Sequence, residues 1–194
     1  MALASRRWLP GQGQRHSARG KGGACDAEEC VGRNPTDRGK AGVKKSLLVE
    51  GSGGPLAVCI AGANAADITL LEATLDAVVV ERPEPTEEEP QHLCLDKAYD
   101  SSTGYAICEQ FGYTPHIRRI GEEKMDGQGE KTFPARRWVV ERTLAWLSKC
   151  RGILIRYDKK AECYLAQVKL ACALLWFRRL HRLQCQNKQT DVLL

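Results

Sequence analysis

The order of its apolar runs constrains this chain more than any other feature. Two short runs, 46–49 and 56–61, flank Glu50-Gly51-Ser52-Gly53-Gly54 and predict a β-hairpin that turns through glycines. DITLLEATLDAVVV (67–80) then has apolar residues at helical spacing, with Asp67 placed to cap it. The Pro/Glu stretch ERPEPTEEEP (81–90) reads as a linker that cannot pack. HLCLDKAYD (92–100) begins as a buried strand ending at Asp96, Ser101 or Ser102 caps a helix that stops at Gly112, and YTPHIRRI (113–120) is a further strand. A polar loop over 121–132 leads into two helices. RRWVVERTLAWLSKCRG (136–152) places Val140, Leu144 and Leu147 along one side, and KKAECYLAQVKLACALLWFRRLHRL (159–183) ends strongly basic. A hairpin followed by alternating strand and helix implies an α/β (α+β) fold around a mixed sheet.

At 194 residues the chain can bury one sizeable core. No apolar run approaches the roughly 18 residues of a membrane span. Arg6, Arg7 and Pro10 interrupt any signal-peptide core, so the expected compartment is the cytosol. Nine cysteines are scattered without a CxxC; Cys59, Cys94, Cys108 and Cys172 sit among apolar neighbours and read as reduced core residues. The four histidines form no metal-spaced pair in the sequence, and neither a GxSxG nor a phosphate-binding GxxxxGK[ST] occurs. Charge is more telling. Residues 131–184 hold thirteen Lys/Arg against three Asp/Glu, residues 1–24 hold five Lys/Arg and no acid, and five Glu against one Arg crowd 81–89. Two basic blocks of that size point to a polyanionic partner such as DNA.

Two acids stand where chemistry is plausible. Asp96 ends an apolar strand, the place where open sheets with helices build their sites; it either holds a metal or caps backbone amides in a turn. Glu141 lies among Trp138, Val139, Val140, Leu144 and Trp146, and either pairs with Arg137 or Arg142 on a solvated face or ligates a metal. Carboxylates converging on magnesium make a recurrent phosphoryl-transfer site, with surrounding Lys and Arg binding phosphate.

Four blocks, taken in order, carry a resemblance: GRNPTDRGKAGVKKSLLVEGSGGPLAV, AGANAADITLLEATLDA, LCLDKAYD, and RRWVVERTLAWLSKCRGILIRYDKKAECYLAQVKLACALLWFRR. Together they resemble the DDE transposases of bacterial insertion sequences, the IS-four-like group and in particular its IS-five branch, over about residues 32–180. The resemblance implies an RNase H-like catalytic core with an Asp, Asp, Glu triad. Asp96 matches the second carboxylate and Glu141 the third, and both become expected metal ligands for two Mg2+ ions, with Mn2+ as a substitute. Arg137 matches an Arg that the family favours four residues before its Glu. Pro134 and Ser148 stand where close relatives carry Tyr and Lys, and Lys149 is one residue late. The implied reaction is hydrolysis at the DNA ends followed by strand transfer. The implied partners are insertion-sequence ends and target DNA, contacted by Arg137, Arg142, Lys149, Arg38 and Lys40, with no membrane and room for a homodimer on DNA. The implied place is the cytoplasm, at the nucleoid.

The first carboxylate departs from the family pattern. The stretch matching the first core strand is QRHSARGKGG, and no Asp or Glu precedes Asp26. Asp26, Asp37 and Glu50 are poor substitutes by position. The expected organisation is a poorly ordered basic segment over 1–31, a catalytic domain over 32–184 and a tail over 185–194, with the first strand damaged and the N-terminus truncated or degenerate. The expectation for this chain alone is little or no activity. A DNA-binding remnant without catalysis and a nuclease that cuts but cannot join are the competing readings.

Overall fold

The computed structural model describes residues 2–6, 30–35, 38–117 and 137–190. Strands β1 (Ala2–Arg6), β2 (Gly32–Arg33), β3 (Ala41–Val49), β4 (Pro55–Gly62), β5 (Gln91–Leu95) and β6 (Tyr113–Ile117) form a mixed sheet. Helix α1 (Leu71–Asp76) follows a 3-10 turn at Ile68–Leu70, and α2 (Ser102–Gln110) separates β5 from β6. Helices α3 (Arg137–Leu147), α4 (Arg151–Leu154) and α5 (Ala161–Thr190) complete the described chain. The architecture is mixed α/β, as expected.

β3 and β4 form the expected hairpin, paired antiparallel from Val43↔Gly62 to Val49↔Pro55. On its other edge β3 pairs antiparallel with β1, from Ala2↔Val49 to Arg6↔Lys45. β1 in turn lies parallel to β5 through Ala2↔Cys94, and β5 lies parallel to β6. The path is therefore β3-β1-β5-β6, with β4 outside β3 and β2 pairing the first residues of β3. Ala2–Arg6, at the start of the segment 1–31, is an interior strand. Residues 7–29, with QRHSARGKGG and Asp26, lie outside the described residues, as do Asp37 and the loop over 121–132.

Alternation along β3 sorts the core into two layers. Val43, Leu47 and Val49 face α3, α4 and α5, packing with Val139, Val140, Leu147, Ile153, Tyr164 and Val168. Leu48 faces the other way, with Leu71 and Leu75 of α1, Leu93 and Leu95 of β5, and Cys108 of α2. Each fully buried aliphatic side chain stabilises the fold by roughly 1.5–3 kcal/mol.

Three helix boundaries differ from the periodicity. α1 stops at Asp76, because the β-branched run Val78-Val79-Val80 leaves the helix and Val79 is 81% exposed. Asp67 makes no side-chain cap; its carboxylate accepts from Lys44 Nζ at 2.8 Å instead. The segment 136–152 is not one helix, since turn bonds from Lys149 N to Trp146 O and from Cys150 N to Leu147 O end α3 before α4 begins. Ser101 caps α2, its Oγ accepting from Gly104 N at 3.1 Å.

Candidate functional site

Asp96 follows directly on β5 and keeps extended backbone, φ −77° and ψ 160°. Its carboxylate is half-buried and accepts from Lys97 N at 2.7 Å, capping a 3-10 turn. The capping role raised by the sequence is therefore realised. Cys94, two residues earlier on the strand, packs against the layer of α3 and α5. Alternation puts Asp96 on that same face of the sheet.

Glu141 lies half-buried on α3, the helix that packs across β1 and β3 on this face. Val139, Val140, Thr143 and Leu147 anchor α3, and Thr143 Oγ1 donates to Gly53 O at 2.7 Å. Glu141 is thus carried by a fixed helix rather than by a loop. Among the described residues no three His, Cys, Asp or Glu side chains gather closely enough to hold a metal ion. The carboxylate oxygens of Asp96 and Glu141 are the right donors for a hard divalent cation, but their number falls short.

Glu50 cannot make up that number. It sits in the β3–β4 turn, accepting from Ser52 N at 2.8 Å, Gly54 N at 2.9 Å, the Ser52 hydroxyl, and Arg179 Nη1 at 2.5 Å. Burial alone would raise its pKa; those four donors outweigh it and bring the carboxyl down to about 2. β5 runs parallel to β1 and β1 antiparallel to β3, so β3 enters its turn in the direction opposite to that in which β5 reaches Asp96; the register sets Asp96 level with Leu47, and Glu50 lies beyond Val49 on another strand.

The five cations expected to contact DNA do not gather in one place. Arg38 and Lys40 are exposed just before β3, several residues along the strand from Leu47, the level of Asp96; Arg38 takes φ +52° ahead of Gly39 at +69°. Arg142, next to Glu141 on α3, and Lys149 lie by the β3–β4 turn and line a groove with residues 52–55. Arg137 begins α3, and only its backbone is described.

At the turn end, residues 52–55, the end of α3 and the face of α5 enclose a groove of about 630 Å³. Arg142 Nη2 donates to Ser52 O at 2.7 Å, and its guanidinium carbon lies 4.7 Å and 4.9 Å from the ring centroids of Trp138 and Trp146. Arg179 lies 5.3 Å from the Trp176 ring while it pairs with Glu50. Trp176 Nε1 donates to Pro55 O at 2.7 Å, and the ring closes on Gly54 so tightly that a Cβ there would lie 2.2 Å from it. Arg178 and Arg182 complete the cationic lining. Sequence reading recognised the basic block but did not assign Arg178, Arg179, Arg182, Trp146 or Trp176 to a site. Helical spacing in 171–182 was the available signal, and it gave no partner across the groove.

Two smaller expectations also meet the structure. His92 Nδ1 and His116 Nε2 lie 2.8 Å apart across β5 and β6, a pairing hidden by their separation in sequence. Cys108 is buried, and Cys59, Cys94 and Cys172 are half-buried free thiols. Burial pushes Cys108 and Cys172 up to about 11, which keeps both protonated and unreactive near neutrality. No helix among the described residues is long and apolar enough to cross a membrane.

Comparison with known proteins identifies the family. The model of the transposase DDE domain matches residues 13–176, a span that contains both Asp96 and Glu141 and opens after β1. A Burkholderia cepacia protein bearing the name of a transposase for insertion sequence element IS402 is 35% identical over 155 residues, covering 78% of this chain and 71% of that protein. Proteins of this family act in DNA transposition and generally use divalent metal ions. With most of its length matched in these two ways, the chain belongs to the transposase DDE-domain family of bacterial insertion sequences.

Proposed function

We propose that this chain is the catalytic domain of an insertion-sequence transposase of the IS-four-like group, IS-five branch, whose metal site lacks one of its three acids. In this reading the core is RNase H-like and extends the domain over 32–184 by the strand β1. Asp96 and Glu141 are the two remaining carboxylates toward Mg2+, with Mn2+ as a substitute. DNA is the partner, in the cytoplasm at the nucleoid, with two copies engaged on paired ends.

The observation that carries the reading is the register of β1. Ala2 lies opposite Cys94 on the parallel side, so position 4 lies level with Asp96. On the antiparallel side Ala4 pairs with Leu47, which faces α3. Position 4 therefore shares with Asp96 the face that the Glu141 helix covers. A third ligand is needed there, and the residue is alanine; β1, ALASR, has no acid at all. Two carboxylates without a third hold a divalent ion weakly, so the expected activity of the chain alone is little or none.

Restoring the acid tests this directly. Manganese binding followed by calorimetry or by electron paramagnetic resonance should be weak in the wild type and strengthened at least tenfold in Ala4→Asp. The gain should vanish when Asp96→Asn or Glu141→Gln is added. A folded Ala4→Asp protein with unchanged manganese affinity would remove position 4 from the site. Robust supercoiled-plasmid nicking by the wild type, abolished by Asp96→Ala and by Glu141→Ala, would show that another acid completes the triad. The second reading, a DNA-binding remnant without catalysis, is favoured by the turn-end groove, which needs no metal.

A further inference from the structure

We infer that the groove at the turn end of the sheet binds a single-stranded stretch of DNA, its phosphates held by Lys149, Arg178 and Arg182 and a base laid against Trp146 and Trp176. The inference rests on the reading that DNA is the partner. It adds a binding place whose lining includes neither Asp96 nor Glu141, where the β3–β4 turn meets α3 and α5.

Charge is the first ground. The lining contains Arg142, Lys149, Arg178, Arg179 and Arg182 and no Asp or Glu. Arg142 and Arg179 are already fixed, the first by Ser52 O and two indoles, the second by Glu50 and Trp176. Arg142 sets a positive field without being spent on a ligand, while the charge of Arg179 is offset by Glu50. Lys149, Arg178 and Arg182 are exposed on the rim and can reach phosphate oxygens.

Aromatic lining is the second ground, and it decides between kinds of DNA. Trp146 and Trp176 each remain 38% exposed in the groove, and Leu174 beside them is 45% exposed. A duplex shows its phosphates outward and keeps its bases stacked inside, so it gains little from indoles in a concavity. An unpaired strand offers a backbone to the cations and a base face to the indoles, the combination that single-strand binding grooves use. Trp176 is held edge-on by Pro55 O and by contact with Gly54, so its exposed part is presented without loss of side-chain freedom on binding.

The test is a titration of the full chain with an oligothymidylate of about ten nucleotides and with a duplex, read by tryptophan fluorescence and by anisotropy over a range of salt. The single strand should quench the indoles and bind at least tenfold more tightly than the duplex. Trp146→Ala should weaken single-strand binding by about tenfold, within the range measured for one stacked base. Arg178→Ala with Arg182→Ala should weaken it further and flatten the dependence of log K on log salt by about 1.4, two phosphates at roughly 0.7 each. Lys159→Ala with Lys160→Ala, outside the groove, should change neither, and circular dichroism checks that each variant is folded. Duplex bound as tightly as single strand, with Trp146→Ala silent, would overturn the inference. Equal losses in the Lys159/Lys160 control would overturn it as well, by reducing binding to general charge. DNA binding that survives every groove variant sinks only the groove, whereas failure to bind either form of DNA sinks the reading of DNA as partner.

Discussion

At the end of β5, Asp96 caps a turn and shares its face with a helix carrying Glu141, while the neighbouring position on β1 is alanine. Beyond the end of β3, the β3–β4 turn is tied by Glu50 to Arg179, by Ser52 to Arg142, by Gly53 to Thr143 and by Pro55 to Trp176. One region has its two acids on rigid elements without a third beside them; the other has its turn tied down by several hydrogen bonds and cations to spare. The contrast separates what the packing of the scaffold requires from what a metal site would require. Packing of α3 needs Val139, Val140 and Leu147, and none of those depends on an acid in β1.

The comparison can be broken from several directions. The largest expected effect comes from Leu47→Ala, in the strand both regions share. Leu47 is fully buried, so truncation should cost about 2–5 kcal/mol in urea denaturation, with both regions lost in one transition. Separate transitions for the groove tryptophans and for the Asp96 region would show two independent units. A smaller effect is expected from Glu50→Gln. The charged acceptor is partly exposed, so its loss should cost only about 1 kcal/mol at neutral pH.

That residue also predicts a pH dependence. Its folded-state pKa of about 2 lies below its ordinary 4.5, so its contribution is complete above about pH 4.5 and fades as pH falls toward 2. The wild type should lose more stability across that window than Glu50→Gln does, and parallel acid curves would mean the turn does not depend on this charge. The smallest expected effect on stability is that of Asp96→Asn. It keeps an acceptor for Lys97 N and should cost less than about 1 kcal/mol. A large destabilisation would mean that Asp96 is held for the fold rather than kept from a former site.

Much of the scaffold was legible in the sequence. The hairpin, β5, α2 and α5 announce themselves through glycine turns, short apolar runs and helical spacing. Asp96 was legible as a strand terminus and Glu141 as a helix residue, but their shared face was not, because only sheet register reveals it. β1 escaped notice because ALASR has neither alternation nor β-branched residues; its conformation follows from the ladders of β3 and β5 on either side. The groove escaped for a different reason. Arg142 meets Ser52 across 90 residues and Trp176 meets Pro55 across 121, and local spacing carries no information at that range.

β1 has one more consequence. It is the strand through which β5 and β6 join β3 and β4, and it spans five residues. Its parallel pairing with β5 closes a loop of some ninety residues, an entropic cost met late in folding, after the hairpin and the helices have formed. Amide hydrogen exchange should find this joint opening more often than the hairpin beside it. Such a joint is a seam: the sheet would part there first, with the β3–β4 half keeping α3, α5 and the groove, and the β5–β6 half carrying Asp96 away.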